Sequence, residues 1–236
     1  MYATPPIVRE HEGIQVVRDD LFPGGTKARF MGLFLAGAEE AVYASPAEGG
    51  AQTALATVAK RLRKGATIFV AQRKRPHNRT LEAARLGAKV VPVSPGYLST
   101  VKARAREYCQ RTGAALIPFG VDTPEAIRAI ADAARATGLE PDEYGCAAGS
   151  GVLARGLALA WPNARRNVVQ VGRALMPAEV AGARIHSYPA PFSREGKVRP
   201  PFPSDRHYDA KAWEICRARR GAGRVVFWNV VGPARP

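Results

Sequence analysis

The sequence predicts an α/β fold in which parallel sheets are flanked by helices. Short apolar runs of strand length alternate with longer segments of helical periodicity along most of the chain. This alternation is typical of βαβ units, and therefore of parallel strands with helices on both faces of a sheet. With 236 residues, of which 46% are hydrophobic, the chain is long enough to bury a core in one large domain or two smaller ones.

The first half of the chain follows this rhythm after an extended N-terminal arm that reaches Gly13. Apolar residues recur on one helical face between Ala51 and Leu62, and a second helix ends at Gly87, a residue that favours helix termination. The runs assigned to strands are apolar and short. The predicted strands are 14–17, 41–45, 67–71, 89–93 and 114–117, and the predicted helices are 27–37, 51–62, 78–86 and 100–112.

The second half continues the alternation up to a proline-rich interruption. Thr123 is the predicted N-cap of one helix and Gly138 its stop signal. Five prolines crowd residues 186–206, which predicts a loop, either a structural crossover or a mobile lid. The remaining predicted strands are 144–147, 167–172 and 224–228, and the remaining predicted helices are 124–136, 152–160 and 208–219.

The net charge is the unusual feature of the composition. The chain has 35 Lys and Arg residues against 20 Asp and Glu residues, a formal charge of +15. Such a field attracts polyanions, and nucleic acid is the first candidate partner. The alternative is an arginine-rich composition whose charges are simply solvated.

Cysteine and histidine spacing excludes several kinds of site. The three cysteines are far apart and form no CxxC pair, and the four histidines have no metal-ligand spacing. We therefore expect a reducing cytoplasm and no bound metal. No apolar run approaches ~20 residues and the N-terminus lacks a signal-peptide layout, so a cytoplasmic protein without a membrane span is expected.

Two stretches suggest a binding site. Gly24-Gly25-Thr26-Lys27 presents a lysine at the start of an apolar run, and partial desolvation would make its amine a Schiff-base nucleophile. Ala148-Gly149-Ser150-Gly151 follows an apolar segment and opens a helix, an arrangement whose backbone amides suit a phosphate. Each stretch also has a purely structural interpretation. Lys27 could be an ordinary surface lysine, and the glycines of 148–151 could be required only by the sterics of the turn.

Taken in order, the motifs resemble those of the fold type II (tryptophan-synthase-β-like) pyridoxal-phosphate enzymes. The nearest branch is that of aminocyclopropane-carboxylate deaminase and D-cysteine desulfhydrase, which has Gly-Gly-Asn-Lys-x-Arg around its cofactor lysine and Thr-Gly-Ser-Gly-Gly-Thr in its phosphate loop. The corresponding segments here are Gly24–Arg29 and Ala148–Leu153. Further similar segments, covering nearly the whole chain, are Leu86–Val90, Ile117–Gly120, Asp205–Lys211 and Val226–Asn229.

The resemblance implies a cofactor, a domain layout and site residues. It implies a large domain of residues 1–35 and 123–236, a small inserted α/β domain of residues 36–122, and pyridoxal 5'-phosphate in the cleft between them. Lys27 would hold the cofactor as a Schiff base, and Asn229 would contact its ring nitrogen. The phosphate would be bound by Gly149, Ser150, Gly151 and Val152. Relatives in this branch are often dimers, which is the basis for expecting a homodimer.

The sequence departs from the branch where the branch places its reactive side chains. A Ser-Asn-Gln or Ser-Asn-His segment, which supplies a hydroxyl, is replaced by Gly49-Gly50-Ala51 after Glu48. The expected glutamate falls in Arg199-Pro200-Pro201, and the final His-Thr-Gly-Gly is replaced by Asn229–Gly232. The chain is also shorter than is usual for the branch. These departures disfavour ring-opening deamination and desulfhydration.

Three functions remain open. The favoured one is decarboxylation of an amino acid attached to a base in DNA, because such chains look like bacteriophage enzymes of thymine hypermodification; the location would then be the host cytoplasm, and the basic clusters would bind DNA phosphates. The second is a lyase or deaminase of a free small amino acid. The third is a non-catalytic, basic nucleic-acid-binding protein on this fold. Candidate substrate contacts are Tyr43, Ser45, Glu48, Gly49, Gly50, Gln52 and Asn78.

Overall fold

The computed structural model describes residues 4–235, and the predicted α/β class with parallel sheets is confirmed. In chain order the strands are β1 (Val8–His11), β2 (Ile14–Arg18), β3 (Glu40–Ser45), β4 (Gly65–Ala71), β5 (Lys89–Val93), β6 (Ala115–Leu116), β7 (Glu143–Ala148), β8 (Arg165–Gln170), β9 (Arg184–Ser187) and β10 (Val225–Asn229). The α-helices are α1 (Ala28–Met31), α2 (Ala51–Leu62), α3 (Asn78–Arg85), α4 (Leu98–Thr112), α5 (Pro124–Arg135), α6 (Val152–Ala160) and α7 (Asp209–Arg219).

The described residues form two compact units. Unit 1 comprises residues 23–121 with 234–235, and unit 2 comprises residues 4–22 and 122–233. The sequence prediction began the inserted domain at residue 36, whereas unit 1 begins at Pro23. The reason is local packing: the turn before α1 lies against α2, so that a Cβ on Gly24 would come within 3.2 Å of Ala54 Cα.

Unit 1 is built on a four-stranded, fully parallel sheet with the order β5-β4-β3-β6. Its two central strands, β3 and β4, are buried along nearly their whole length, as expected for parallel strands that helices cover on both faces. On one face, Val42 and Phe69 of the sheet pack with Val101 and Ala105 of α4. The helix α2 has Ala, Leu and Val on its buried side, which agrees with the predicted helical face between Ala51 and Leu62.

Unit 2 is built on a six-stranded sheet with the order β1-β2-β10-β7-β8-β9, in which only the β1–β2 pair is antiparallel. Its core contains Trp213 of α7, whose ring meets Phe202 and Phe227 edge to face at centroid distances of 5.0 and 5.3 Å. The helix α7 lies close to the sheet because β7 has a glycine there: a Cβ on Gly145 would lie 2.4 Å from Cys216 Sγ.

Several predicted boundaries change in the structure. The N-terminal arm contains a strand, β1, which pairs with β2 through a two-residue turn in which Glu12 and Gly13 both have positive φ. The predicted helix over 27–37 is α-helical only from Ala28 to Met31 and continues as a 3₁₀ turn. The proline-rich segment begins within the edge strand β9, and the rest of it is irregular, as predicted.

The parallel arrangement determines where a site can form. In open α/β sheets, ligands bind outside the carboxyl ends of the strands. In unit 1 those ends lead into residues 46–50, 72–77 and 94–97, and in unit 2 the end of β7 leads into the glycine turn before α6. Within residues 4–235, no helix combines the length and apolar character needed to cross a bilayer.

Candidate functional site

The lysine turn of unit 1 has the backbone that its glycines predict. Gly24 and Gly25 have φ values of +86° and +71°, a region that favours glycine. Lys27 follows at the N-cap of α1, half-buried, and its carbonyl accepts the Met31 N–H at 3.0 Å. A Cβ on Gly24 would lie 2.9 Å from Ala28 Cβ, so the turn is tightly packed. Lys27 is therefore held on a rigid turn against α2.

The loop between β3 and α2 brings together four of the predicted substrate residues. Ser45 is buried, and its hydroxyl donates to the Pro46 carbonyl at 2.8 Å. A Cβ on Gly49 would lie 2.9 Å from Ser45 Oγ, so only glycine fits this turn. Gly50 is the N-cap of α2, and its carbonyl accepts the Ala54 N–H at 3.2 Å. The first-turn amides of α2 thus face the end of the loop without intrahelical partners.

Gln52, in the first turn of α2, has a polar atom whose hydrogen-bonding capacity is unused. Its side chain is fully buried, and its Nε2 donates to the Ala47 carbonyl at 2.7 Å. In residues 4–235, no donor lies within hydrogen-bonding distance of its Oε1. A buried carbonyl without a donor costs free energy, about 1–3 kcal/mol, unless a water or a ligand supplies one.

The remaining predicted substrate residues are Glu48, Asn78 and Tyr43. Glu48 belongs to the same loop and forms an ion pair with Arg73 at 3.1 Å. Asn78 is exposed at the first position of α3, and in the described range 4–235 no hydrogen bond joins its side chain to the Ser45–Gln52 loop. Tyr43, the loosest of the candidates, is buried and its hydroxyl accepts the Gly120 N–H at 3.2 Å. Burial raises the pKa of Tyr43 to about 12.

The glycine turn of unit 2 opens α6 as predicted. Gly151 is the N-cap with φ +81°, and the first helical hydrogen bond runs from the Arg155 N–H to the Gly151 carbonyl at 3.0 Å. The amides of the first turn, beginning with Val152, are thus left without intrahelical partners, and no acidic residue lies in that turn. This arrangement favours an anion through both the amides and the helix dipole.

Tyr208 and Glu179 hold this glycine turn in place. The hydrogen bond to Tyr208 occupies the amide of Gly149, which was predicted to bind phosphate. The Gly149 N–H donates to the Tyr208 hydroxyl at 3.0 Å, which in turn lies 3.3 Å from the Ala147 carbonyl. A Cβ on Gly151 would lie 1.8 Å from the Glu179 carbonyl oxygen. The amide of Gly149 is therefore engaged within the protein, and Ser150, Gly151 and Val152 are the better phosphate donors.

Glu179 also organises the 3₁₀ turn that packs on Gly151. Its carboxylate accepts from the Met176 N–H at 2.8 Å and forms an ion pair with Arg173. The hydrogen bond from Arg173, followed by the one from Met176, lowers the pKa of Glu179 to about 2. The carboxylate is thus ionised at neutral pH.

Asn229 lies at the carboxyl end of β10, fully buried, with both ends of its amide engaged. Its Oδ1 accepts from the Ser204 hydroxyl at 2.9 Å, and its Nδ2 donates to the Pro203 carbonyl at 2.8 Å. The structure thus gives Asn229 a role in fixing the proline-rich segment. A cavity of about 350 Å³ lies beside Ser204 and has Lys197, Arg199 and Arg206 in its lining.

Tyr208 and Asp209 are the residues that the sequence reasoning missed as site residues. Asp209 is fully buried; its Oδ2 accepts from the Val231 N–H at 3.2 Å, and its Oδ1 has no partner within residues 4–235. Burial, reinforced by the charge of Asp205, raises the pKa of Asp209 well above its ordinary value. Burial likewise raises the pKa of Tyr208. Both residues lie in the Asp205–Lys211 segment, which the resemblance had singled out without giving them a role.

Cysteine and metal chemistry receive no support from the described residues. Between residues 4 and 235, no three His, Cys, Asp or Glu side chains are grouped as metal ligands. The three cysteines are free thiols. Burial raises the pKa of Cys216 to about 12, and it raises that of Cys146 as well, so neither is a reactive thiolate at neutral pH.

Comparison with known proteins gives a structural answer only. No family model and no curated protein matches the sequence. Among solved structures, an aminocyclopropane-carboxylate deaminase homologue aligns with a TM-score of 0.78 and 19% identity, covering 93% of this chain and 84% of that one. Maize serine racemase aligns with a TM-score of 0.70 and 14% identity, covering 98% and 88%.

A third structure is that of a protein with a pyridoxal-phosphate adduct. Diaminopropionate ammonia lyase from Escherichia coli, in complex with an aminoacrylate–pyridoxal-phosphate azomethine, aligns with a TM-score of 0.68 and 15% identity. The alignment covers 93% of this chain and 79% of that one. At these identities the likeness shows the fold. The chain therefore has the α/β architecture of the fold type II pyridoxal-phosphate enzymes, as the sequence predicted.

Proposed function

We propose that this protein is a pyridoxal-phosphate-dependent enzyme that acts at Cα of an amino acid. The observation that carries the proposal is the placement of Lys27 on a tight two-glycine turn packed against α2, the helix whose first turn holds Gln52. An amine that bonds covalently to a cofactor needs a rigid, partly dry position, and Lys27 is half-buried on such a turn. The fold shared with the solved structures above supports the same assignment.

The residues present fit the cofactor. The turn before α6 offers first-turn amides and positive helix-dipole charge, with no acidic residue in that first turn, which together suit a phosphate. When bound, pyridoxal phosphate supplies an electron sink for a broken Cα bond.

The chain's own residues would then divide the work as follows. Lys27 would hold the cofactor through its Nζ, and the amides of Ser150, Gly151 and Val152 would hold its phosphate. The first-turn amides of α2 would bind an anionic group of the substrate. Contact between Asn229 and the cofactor ring stays a prediction, and the amide of Asn229 already bonds Ser204 and Pro203.

As the specific reaction, we propose decarboxylation of an amino acid attached to a base in DNA. The charge of +15 supports a polyanionic substrate. The hydroxyl of Ser45, at the end of β3, donates to the Pro46 carbonyl. Decarboxylation asks for little else: the Cα–carboxylate bond breaks, CO₂ leaves, and a proton is added at Cα.

A free small amino acid is the alternative substrate. The similar structures support it, since they are those of a serine racemase, an ammonia lyase and a deaminase homologue. The two alternatives differ in whether a DNA strand is needed for turnover.

A substrate panel distinguishes them. The protein, loaded with pyridoxal phosphate, is incubated with free amino acids and with oligonucleotides that have an amino acid on a thymine methyl group. The proposal predicts that the modified oligonucleotide loses the mass of one CO₂, and that Lys27→Arg abolishes this loss while Lys60→Arg, at an exposed position of α2, retains it. Turnover of free amino acids alone would contradict the DNA-directed reaction, and equal turnover by Lys27→Arg would contradict the role of Lys27.

A further inference from the structure

The charge of the chain is concentrated in unit 1. Residues 23–121 contain 16 Lys and Arg residues against five Asp and Glu residues, a net +11 out of the +15 of the whole chain. A uniform basic composition would have distributed the excess in proportion to length. The concentration therefore indicates a binding surface in unit 1 rather than a general property of the composition.

Within unit 1, exposed basic residues cluster at the carboxyl edge of the four-stranded sheet. The loop that follows β4 has three consecutive basic residues, Arg73, Lys74 and Arg75, all of them exposed. Arg73 forms its ion pair with Glu48. In the described range of residues 4–235, no acidic partner lies near Lys74 or Arg75. Two cations are thus available for an external anion.

An exposed aromatic side chain lies beside this loop. β4 and β5 run in register to Ala71 and Val93, and the Gln72 N–H donates to the Val93 carbonyl at 2.8 Å. The chain after β5 folds back over β4, so that a Cβ on Gly96 would lie 2.9 Å from Ala71 Cβ. Tyr97 follows, and 72% of it is exposed. The Tyr97 ring is therefore accessible to a ligand that stacks on it.

A second aromatic and cation pair lies at the same edge. Lys102, one turn into α4, has its Nζ 4.0 Å from the ring centroid of Phe119, which follows β6 and is 36% exposed. We call the set Arg73, Lys74, Arg75, Tyr97, Lys102 and Phe119 the basic–aromatic edge. Its Arg73 is bound to Glu48, so the edge directly adjoins the Ser45–Gln52 loop that we propose binds the amino acid.

We propose that the basic–aromatic edge binds single-stranded DNA, with Lys74 and Arg75 on phosphates and the Tyr97 ring stacked on an unpaired base. Alternating cations and aromatic rings are how proteins hold single strands, since every base has a face on which a ring stacks. A base inside a duplex offers Tyr97 no such face. The inference extends the DNA-directed part of the proposed function.

Binding of unmodified oligonucleotides to the full chain, with and without pyridoxal phosphate, tests the edge separately from catalysis. Lys74→Gln/Arg75→Gln should weaken single-strand binding about 20-fold at about 0.1 M salt and lower the slope of log affinity against log salt by about 1.4. The matched control, Lys60→Gln/Arg63→Gln, removes the same charge from the exposed C-terminal end of α2 and should change binding little. An equal loss of single-strand affinity in both variants would mean that only the net charge of the protein matters, and it would overturn the proposal.

The tyrosine provides the second, independent readout. Tyr97→Ala should weaken single-strand binding by about 5- to 100-fold and leave duplex binding unchanged, whereas Tyr97→Phe should bind as the parent does. Unchanged single-strand binding by Tyr97→Ala would overturn the stacking role. Lys27→Arg should bind the oligonucleotide as the parent does. Failure of the cofactor site therefore abolishes turnover without changing DNA affinity, whereas failure of the basic–aromatic edge lowers DNA affinity. Circular dichroism of each variant checks that the fold is retained.

Discussion

Tyr208 connects the glycine turn to the body of unit 2. Its hydroxyl accepts the Gly149 N–H and lies within hydrogen-bonding distance of the Ala147 carbonyl, so a single oxygen fixes the turn whose amides we propose as phosphate donors. The sequence placed the glycines correctly, because glycine at a strand-to-helix turn is a local signal. It did not identify Tyr208, because a contact between residues 59 positions apart depends on the fold.

We expect Tyr208→Phe to lower the free energy of unfolding by about 1–3 kcal/mol, since it leaves the Gly149 N–H without an acceptor. The same variant should bind pyridoxal phosphate more weakly, because the turn is no longer fixed. Urea denaturation measures the first effect and titration with the cofactor the second. Tyr97→Phe is the control, because the Tyr97 ring is exposed. Unchanged stability and affinity in Tyr208→Phe would show that this hydroxyl does not hold the turn.

Asp209 predicts an unusual pH dependence of stability. Burial, and then the charge of Asp205, raises the pKa of Asp209 in the folded protein above the 3.8 of an ordinary aspartate. Above pH 3.8 the folded protein keeps a proton that the unfolded chain has lost, so this residue's contribution to the free energy of unfolding falls as the pH rises to the folded pKa. Asp209→Asn should remove that part of the slope. The control is Asp132→Asn, at an exposed position. Identical pH profiles for Asp209→Asn and the parent would contradict the raised pKa.

At the scale of the elements, most strands and helices were predictable and the exceptions have physical causes. The polar sequence of β1 has no apolar alternation, because it is an edge strand that depends on pairing with β2. The Glu12-Gly13 turn was the available signal for that hairpin. The helix over 27–37 was overestimated because its apolar residues suit any buried segment, and after Met31 the chain forms a 3₁₀ turn.

A substitution at Gly151 tests how tightly the N-terminus of α6 packs against the 3₁₀ turn that contains Glu179. Gly151→Ala combines a left-handed φ of +81° with a Cβ 1.8 Å from the Glu179 carbonyl oxygen. Gly138→Ala, at φ +69°, introduces comparable backbone strain with open space around the new methyl group. We expect the first variant to be less stable than the second by about 1–3 kcal/mol, the usual cost of overpacking. Equal destabilisation in thermal or urea unfolding would mean that the 3₁₀ turn moves away without cost.

For the whole molecule, the sequence predicted the fold class and the order of the motifs, and the structure supplied the partners. Asn229 is an example: its position at the end of the last strand was foreseen, while its bonds to Ser204 and Pro203 were not. Unit 1 likewise takes in the lysine turn, because that turn packs on α2. The homodimer implied by the resemblance stays a prediction, which sedimentation of the purified protein would test.

The measurement that most directly tests the account is the visible absorption spectrum of the protein with pyridoxal phosphate, before and after borohydride, followed by mass spectrometry of the reduced protein. We predict a cofactor band that borohydride abolishes, with the reduced cofactor attached to Lys27. No band and no adduct, or an adduct distributed over surface lysines such as Lys60 and Lys74, would contradict the proposed enzyme and leave a basic nucleic-acid-binding protein on this fold.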